Sequence, residues 1–472
     1  MGWAFPCIYF AAGAFLFYQT WIHLSLLRAR PTPSEPSSAH ATPDHIVIQL
    51  PLFNEPQVVL RLLDAVEAME IPQDQNGRSI PTTVQILDDS TDSTSDLVSS
   101  WLAQNSLNAH HIRRPNRSGF KAGALQEGLA RCPDSAVIVI FDADFVPPRD
   151  FLLQAIPRLM VDPQIGAVQT RWDHLNPDHS ALTAVQALNL DAHFAVEQEG
   201  RQRLGVWNSF NGTAGVWRKA AIDAAGGWQH DTLAEDLDLS IRVQAQGWSI
   251  EYADDIGAPA ELPASMSAYL SQQRRWTQGG AACAAKHLRA VRSQLPRGPI
   301  RSHATAQLLA SSIHIPVWLM TVSSVPMLIS STQTSALPLR LGGIFLLTLA
   351  MFFVLYGTAA RRRGNTRFFP LKMLAMLALG SGTTWHNARA AWEGWRRKPA
   401  EFVRTPKRGE LTAEPLMAGW VPREFAGAEW LHALWFGAGL AWGVHSGEWG
   451  LAPFHALLMA GYAWVAWAKN TQ

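Results

Sequence analysis

The sequence contains only three cysteines, and this scarcity excludes a disulfide-stapled fold. Cys7, Cys132 and Cys283 lie far apart among 472 residues, so they form neither a disulfide framework nor the spacing of a zinc site. Net charge is low as well, because 39 Lys and Arg face 38 Asp and Glu and leave +1. This balance lacks the basic excess of nucleic-acid-binding proteins, so we expect no nucleic acid as a partner.

Two glycine-rich phosphate-binding signatures are also missing. There is no Walker loop and no G-x-G-x-x-G, so kinase-type and dinucleotide redox functions lack their usual motif. Tyrosine is sparse, with six residues against 20 tryptophans. Tryptophan favours membrane interfaces, and its flat face suits sugar rings. These absences direct attention to membranes and carbohydrates.

A long uncharged segment at the start of the chain predicts a transmembrane helix over residues 1–28. Residues 1–27 contain no Lys, Arg, Asp or Glu, and about 20 apolar residues are enough to cross a bilayer. A cleaved signal peptide is disfavoured, since a Pro/Ser-rich linker over 29–44 follows in place of a small-residue cleavage site.

Further apolar segments lie in the last third of the chain. We predict transmembrane helices 2 and 3 within 301–360 and helices 4 and 5 within 428–472. The resulting topology is a multi-pass protein of the inner membrane, with the N-terminus outside and residues 28–303 and 361–428 in the cytoplasm.

A weaker apolar stretch, 368–398, is predicted to lie in the membrane interface without crossing it. Basic clusters flank it at 361–363 and 396–398, and basic clusters prefer the cytoplasmic side. Residues 361–427 therefore combine an interfacial helix with a basic loop, "FVRTPKRG" (402–409). By composition alone, that loop serves equally as a positive membrane flank or as a phosphate contact.

Residues 45–260 alternate apolar strands with amphipathic helices. The strands are "HIVIQLPLF", "TTVQILDDS", "HHIRR" and "AVIVIFDAD", and helical periodicity separates them. This alternation predicts an α/β domain with a mainly parallel sheet and helices on both faces. Ligands of such sheets bind beyond the carboxyl ends of the strands.

Paired acids stand where two of these strands end. Asp88 and Asp89 follow the second strand, and Asp142 and Asp144 follow the fourth. Acids also mark ordinary turns, but two such pairs in one sheet favour a site. Crowded carboxylates require a cation, and Mg²⁺ usually takes one or two carboxylates plus phosphate oxygens. The pattern therefore predicts a divalent metal that carries substrate phosphates.

The stretch "TLAEDLDLS" places Glu235 and Asp236 in the first turn of a helix, with Thr232 as a candidate cap. Acids at a helix start can serve capping alone, because the positive helix end stabilises them. The alternative is that Asp236 acts as a general base, which must be ionised and close to the proton it removes.

The stretch "SAYLSQQRRWTQGG", within the predicted interfacial helices of 261–300, brings three recognition groups together. Gln272 and Trp276 are four residues apart and face one way on a helix, with Arg275 beside them. An amide, a guanidinium and an indole can bind a hydroxyl, a phosphate and a sugar ring. An amphipathic helix with a tryptophan anchor is the plainer interpretation of this stretch taken alone.

His193 and Glu197 are four residues apart in "NLDAHFAVEQ", a helical spacing that also suits a metal pair. No third ligand is evident in the sequence, so we predict no metal there.

Taken in order, these motifs resemble the processive inverting glycosyltransferases of family 2. That family includes cellulose, hyaluronan and chitin synthases and the cellulose-synthase-like mannan and glucan synthases. "PLFNEP", "LDDSTD", "FKAGAL" and "DAD" resemble its nucleotide, lysine and metal motifs. "LAEDLD" resembles the Thr-Glu-Asp motif, although Ala234 stands in place of Thr. "QQRRW" is similar to Q-x-x-R-W, and "FVRTPKRG" resembles the gating loop. "FNGTAGVWR" is closest to the mannan and glucan branch.

The resemblance implies a GT-A-like fold and a set of site residues. The implied catalytic residues are Asp236 as base, with Glu235 beside it. The implied nucleotide-sugar ligands are Pro51, Asn54, Glu55, Asp88, Asp89, Lys121, Asp142, Arg275, Thr405 and Lys407. Gln272, Trp276 and Trp172 are implied to bind the acceptor, and Asp144 with Asp142 to hold Mg²⁺ or Mn²⁺.

The implied activity is extension of a β-linked glucan, mannan or glucomannan from UDP-glucose or GDP-mannose, with translocation of the polymer. The partners would be the nucleotide sugar, the growing glycan and the bilayer; no accessory or periplasmic subunit is identified. A single-addition lipid glucosyltransferase, of the ceramide or diacylglycerol type, is the alternative, and a non-enzymatic channel or receptor is a third. The basic loop and the helices after the catalytic domain favour the polymerase, and the intact acids disfavour the third class.

Overall fold

A helix, α1 (Ala4–Arg28), precedes the α/β domain. The computed structural model describes residues 4–29, 42–330, 337–398, 407, 409 and 426–471. Within them, seven strands form a single sheet. The strands are β1 (His45–Leu52), β2 (Thr82–Asp88), β3 (Ala109–Arg113), β4 (Ala136–Ile140), β5 (Ile165–His174), β6 (Gly215–Arg218) and β7 (Ser249–Ala260).

The sheet has the order β3-β2-β1-β4-β6-β5-β7 and is parallel except at β6. β6 runs antiparallel to both of its neighbours, β4 and β5. The predicted mainly parallel α/β domain is therefore confirmed, and the structure adds one reversed strand. The four predicted strands correspond to β1 to β4, whereas β5, β6 and β7 were not predicted. β6 has only four residues, which is too short an alternation to identify.

Helices cover both faces of the sheet. Those of the domain are α2 (Val59–Glu67), α3 (Thr94–Leu102), α4 (Phe120–Leu129), α5 (Phe151–Met160), α6 (Ala181–Ala192), α7 (Glu199–Leu204), α8 (Lys219–Ala224) and α9 (Glu235–Ala245). A π-helical turn, His193–Gln198, joins α6 to α7.

Each central strand buries alternate residues in two separate cores. Ile46 and Ile48 of β1 pack into one core, while Val47 packs into the other. Successive side chains of a strand point to opposite faces, so continuous apolar runs such as that of β1 are required wherever helices cover both faces.

The strand register brings the acidic turns to one edge. Leu52 of β1 aligns with Asp88 of β2, and Gln49 aligns with Ile140 of β4. β1, β2 and β4 thus end at the same side of the sheet. The residues that follow β1 and β4 border a cleft there, where ligands of such sheets bind.

In the described ranges, eight further α-helices follow the sheet. They are α10 (Met266–Gln294), α11 (Pro299–Leu309), α12 (His314–Ser330), α13 (Leu337–Arg362), α14 (Phe369–Gly382), α15 (Thr384–Trp395), α16 (Gly427–Ser446) and α17 (Ala452–Thr471). In the described part of the chain, two helical stretches, Pro299–Ser330 and Trp449–Thr471, are long and apolar enough to cross a bilayer.

The stretch predicted to lie in the interface forms two short helices. α14 has 14 residues and α15 has 12, so at about 1.5 Å per residue neither reaches across a hydrocarbon core of about 30 Å. Arg363, before α14, pairs with Asp254 of β7. Arg397, after α15, donates a hydrogen bond to the Ala285 carbonyl of α10. Both ends of the stretch therefore meet the α/β domain or α10.

Candidate active site

A cleft of about 1350 Å³, including its open mouth, lies beyond the carboxyl ends of β1 and β4. Asp89, Asp142, Asp144 and Asp236 all contribute to its lining. These four acids come from three separate segments of the chain. The structure thus brings together most of the carboxylates that were predicted to meet because they lie at strand and helix ends.

Lys121 of α4 anchors the first acid of the D-A-D motif. Its Nζ lies 2.5 Å from Oδ1 of Asp142 and donates a 3.0 Å hydrogen bond to the Gly212 carbonyl. Burial raises the pKa of Asp142, the Lys121 charge opposes that rise, and the Asp144 charge adds to it. The cleft therefore contains a cation that is already paired to Asp142.

Asp144 is paired with a second lysine, from the basic loop. Nζ of Lys407 lies 2.6 Å from Oδ2 of Asp144 and donates a hydrogen bond of 2.6 Å to the Glu261 carbonyl. Arg61 and the amide of Gly409 both contact the Glu261 carboxylate, at 3.3 and 3.1 Å. The part of this loop that the structure describes thus reaches the cleft, whereas Thr405 lies outside the described residues.

The donor set of the cleft fits a hard divalent cation bound together with a phosphate ligand. Asp142 and Asp144 supply two carboxylates, while nowhere in the described ranges do three or more His, Cys, Asp or Glu form a group able to hold a metal. Mg²⁺ typically binds through one or two carboxylates plus water and phosphate oxygens. A cation on Asp144 would take the place that the Lys407 ammonium has beside that carboxylate.

Asp236 lies at the start of α9, on the floor of the cleft. Burial and the neighbouring Glu235 charge raise the pKa of Asp236 to about 7. Burial raises the pKa of Glu235 too, and Lys121 opposes that rise. The helix begins after Ala234 without a side-chain cap, so the predicted cap at Thr232 is wrong.

A glycine is required opposite Asp236. Gly212 has a φ of +86°, and a Cβ there would lie 3.0 Å from Oδ2 of Asp236. Positive φ is rare for other residues, and a side chain would crowd the carboxylate. The backbone of the "FNGTAG" segment therefore forms the wall against which Asp236 sits.

Two tryptophans border the cleft on the side of α10. The ring centroids of Trp172 and Trp276 are 6.4 Å apart, and Trp276 is 39% exposed. Gln272 and Arg275 line the cleft with them. Burial lowers the pKa of Arg275, while the charges of Asp142 and Glu235 oppose that change. The helix places an amide, a guanidinium and an aromatic face toward one space, as the four-residue spacing predicted.

Pro51 and Glu55 also line the cleft, but Asp88 and Asn54 do not. Asp88 is fully buried beneath it and accepts hydrogen bonds from the Ser90 amide (2.8 Å) and the Ser95 hydroxyl (2.6 Å), with His111 at 2.9 Å. Asn54 is bonded to Thr91 and Ser90 in the adjoining turn. Of the two neighbouring acids, the structure therefore places Asp89 at the cleft and Asp88 inside the fold.

We predict that Asp88→Asn destabilises the protein and leaves nucleotide binding intact. Burial raises the pKa of Asp88, but hydrogen bonds from His111, Ser90 and Ser95 outweigh it and lower the pKa from 3.8 to about 2. This stabilisation is present above the ordinary pKa and is lost as pH falls through 2. Removing the charge should cost about 2 kcal/mol, or ~4–8 °C in the midpoint of thermal unfolding.

The exposed Asp96→Asn, in the following helix, is the matched control for this prediction. Unchanged thermal unfolding together with lost affinity for a nucleoside diphosphate would instead assign Asp88 to the nucleotide site, as the resemblance implies.

Several lining residues were not singled out from the sequence. Arg117 lies 3.3 Å from the centroid of the Phe53 ring, and Glu261, His174 and Asn211 also line the cleft. Asn211 stands in the quoted "FNGTAG" stretch, so its motif was found although its role was not. The other three carry no local signal, because only the fold brings their segments to the cleft.

Two family models match the chain. The model described as Glycosyl transferase family 2 matches residues 47–220, and that described as Glycosyl transferase family group 2 matches residues 137–360. The two matches together include β1 to β7, α9 and α10.

Curated relatives match the same region. The chain is 43% identical over 243 residues to a probable glucomannan 4-beta-mannosyltransferase 4 of Oryza sativa subsp. japonica. It is 42% identical over 243 residues to glucomannan 4-beta-mannosyltransferase 2 of Arabidopsis thaliana. These matches cover 50% of this chain and only 43% and 44% of the relatives, respectively.

Among solved structures, a mannosyltransferase of Pyrobaculum calidifontis, PcManGT, has a similar fold. Its complex with GDP-Man and Mn²⁺ superimposes with a TM-score of 0.53 at 20% identity, over 84% of this chain and 98% of that one. At this identity the similarity concerns the fold, and it supports the GT-A-like description of the sheet domain.

Proposed function

Because residues 47–360 belong to glycosyltransferase family 2, we propose that this protein extends a β-linked mannan or glucomannan from a nucleotide sugar. The observation that carries the proposal is Asp236, a partly buried carboxylate with a pKa raised to about 7. It shares one cleft with Asp142, Asp144 and Lys121, and with the aromatic pair Trp172 and Trp276. A base, a phosphate-binding set and a sugar platform are thus adjacent.

Asp236 is the proposed general base. A catalytic base is most effective when its pKa lies near the working pH, and that of Asp236 does. It removes the proton of the acceptor hydroxyl as the oxygen attacks the anomeric carbon. Attack from the face opposite the nucleotide inverts that carbon, so no covalent sugar–enzyme intermediate forms.

The cations of the cleft offset the charge that grows on the leaving diphosphate. Lys121 lies between Asp142 and Glu235, and Arg275 lines the same cleft. Preorganised charge of this kind is often the largest catalytic contribution. Asp142 and Asp144 would hold Mg²⁺ or Mn²⁺, which supplies further charge stabilisation at phosphate oxygens. Trp276, partly exposed at the mouth, is placed to stack on the acceptor sugar.

The donor we favour is GDP-mannose, with UDP-glucose as the second. The similarity to glucomannan 4-beta-mannosyltransferases over half of this chain supports that order. The linkage and the polymer length belong to the same proposal and are read from the product.

We place the cleft on the cytoplasmic side of a membrane that the chain crosses several times. Pro299–Ser330 and Trp449–Thr471 meet the length and composition requirements for crossing. α1, α13 and α16 complete the five predicted spans. The basic clusters at 361–363 and 396–398 meet the α/β domain or α10, which agrees with a cytoplasmic position for both. If the nucleotide-sugar donor is used on the cytoplasmic side, the polymer must be moved across the membrane to leave the cell.

The product tests the proposal directly. Membranes containing the protein are incubated with labelled GDP-mannose or UDP-glucose, and the label is partitioned between an organic and an insoluble phase. We expect the label in the insoluble phase, and we expect digestion with endo-β-mannanase to make that labelled material soluble. Label that remains in the organic phase as a one-sugar lipid would establish the lipid glucosyltransferase instead.

Lys407→Ala is expected to raise the donor KM about tenfold with a smaller change in kcat. The Lys407 ammonium is buried beside Asp144, where a donor diphosphate would supply new anionic partners, and charge-assisted hydrogen bonds contribute about 1.5–3 kcal/mol. Donor titrations of purified protein measure the effect. The control is Lys398→Ala, which removes an exposed lysine outside the cleft. An equal donor KM in both variants would show that Lys407 serves only as a basic residue beside the membrane.

A further inference from the structure

A partly buried hydrogen-bonded chain of side chains runs from α1 to the cleft through the π-helical turn His193–Gln198. Oε1 of Glu197 lies 3.1 Å from Nε2 of His23, and Oε2 lies 3.1 Å from Nδ1 of His193. Nε2 of His193 lies 2.8 Å from the side-chain amide nitrogen of Asn211. The sequence pattern of His193 and Glu197 suggested a metal pair, but these side chains bond one another instead. Isolated π-turns in helical segments frequently mark functional sites.

The protons of this chain can be assigned from its hydrogen bonds. Nε2 of Gln198 donates to the Ser209 carbonyl at 2.8 Å, and Oε1 of Gln198 accepts from Arg201, so the orientation of this amide is determined. Nε2 of Gln198 also lies 2.7 Å from Oδ1 of Asn211, which therefore accepts. The Asn211 nitrogen then donates to His193, whose Nε2 must be unprotonated and whose Nδ1 donates to Glu197.

Glu197 is the ionised centre of the chain. Burial raises its pKa, but hydrogen bonds from His193 and His23 outweigh burial and hold the pKa well below its usual range. Arg201 adds a further contact at 3.2 Å. Both ring nitrogens of His23 face acceptors, the Gln19 carbonyl and Glu197, so a protonated ring can donate a hydrogen bond to each of them.

Asn211 lies at the reaction centre. It lines the cleft, and it precedes Gly212, whose carbonyl accepts from Lys121 and whose backbone packs against Asp236. One amide hydrogen of Asn211 bonds to His193. Within the described part of the chain the other bonds to no protein group, so it is available to a ligand in the cleft.

We propose that His193 and Glu197 are positioning residues that orient the Asn211 amide toward a hydroxyl of the acceptor sugar. The inference rests on the proposed function and deepens it, because it assigns the acceptor subsite next to Asp236. A carboxamide rotates freely unless both of its ends are bonded; here His193 and Gln198 hold one end each. His23 extends the same chain into α1, so the N-terminal helix contributes to the geometry of the sugar site.

Two substitutions of His193 separate positioning from mere packing. His193→Asn places an amide nitrogen near the Nδ1 position, which retains the donor to Glu197 and removes the acceptor for Asn211. His193→Gln places an amide oxygen near the Nε2 position, which retains the acceptor for Asn211. Glu199→Gln is the control, since Glu199 lies in the next turn and pairs with Arg203 instead.

The experiment uses the full-length protein in nanodiscs, with β-1,4-mannotetraose as acceptor. We expect His193→Asn to raise both the acceptor KM and the Kd of the tetrasaccharide, measured without donor, about tenfold. His193→Gln and Glu199→Gln should stay within about threefold, and the Kd of GDP should change less than twofold in all variants. If His193→Asn fails to fold, Glu197→Asp replaces it, because this change withdraws the carboxylate by one methylene; the same acceptor-specific loss is expected.

Equal acceptor affinities in the Asn and Gln variants would overturn the inference, as would a parallel loss of GDP binding. If the wild-type protein binds the tetrasaccharide but transfers no sugar to it, the proposed function is refuted and the positioning role of His193 is not. The tetrasaccharide Kd values of the variants then still test that role. A wild-type protein that binds no tetrasaccharide overturns both.

Discussion

Asp236→Asn is expected to lower the transfer rate about a thousandfold and to change the Kd of a nucleoside diphosphate by less than about threefold. General base catalysis typically contributes 10²–10⁴-fold, and an amide of the same size has no basic oxygen. Asp89 and Lys121, the groups that we propose to face the nucleotide, are untouched by the change. Single-turnover transfer from labelled donor, together with calorimetric titration of GDP or UDP, measures the two quantities.

The pH profile of the wild-type protein provides the second measurement of the same prediction. The pKa of Asp236 is raised to about 7, so the base is protonated and inactive below that value. kcat/KM should therefore rise with pH through about 7 and level off above it. Asp231→Asn, which alters an exposed acid five residues earlier, should preserve this profile. Loss of nucleotide affinity with normal turnover in Asp236→Asn would assign Asp236 to the donor site.

Asp144→Asn should abolish tight Mn²⁺ binding and lower transfer by about a hundredfold or more. An amide oxygen is a neutral and weaker ligand than a carboxylate for a hard cation, and it leaves the buried Lys407 without its anionic partner at 2.6 Å. Electron paramagnetic resonance of Mn²⁺ in the presence of GDP reports the binding without any need for turnover.

The exposed Asp150→Asn, six residues further along the chain, is the matched control for the metal prediction. An unchanged Mn²⁺ affinity in Asp144→Asn would remove this residue from the metal site and leave its carboxylate as the counter-ion of Lys407. Tighter Mn²⁺ binding in Lys407→Ala than in the wild-type protein would support competition between the lysine and the cation.

The sheet was predictable because burial on both faces requires a recognisable pattern. β1, β2 and β4 are apolar runs bounded by turn residues, and the paired acids of β2 and β4 lie at or just beyond the carboxyl ends of those two strands. β6 was missed because a strand of only four residues, antiparallel to both of its neighbours, shows no distinct hydrophobic periodicity. Thr232 was misassigned as a cap because α9 begins after Ala234. A threonine hydroxyl caps a helix only when it stands directly before the first helical residue.

Asp88 and Asp89 show what a local sequence motif cannot predict. The two acids are adjacent, and nothing in "LDDSTD" distinguishes them. Successive residues of a strand point to opposite sides, so one residue of register decides which carboxylate is buried with His111 and which reaches the cleft. The same limit applies to Lys407, whose partner Asp144 is more than 200 positions away.

The sequence by itself determined the family resemblance, the parallel sheet and the residues Asp142, Asp144, Asp236 and Trp276, because their motifs are local and the burial pattern of a parallel strand is written in consecutive residues. Only the tertiary structure decided that Lys407 meets Asp144 and that His23, Glu197 and His193 form one chain to Asn211. The contact of His23 with Glu197 joins side chains 174 positions apart. Contacts between distant segments depend on how helices pack onto a sheet, which no spacing within a single segment encodes.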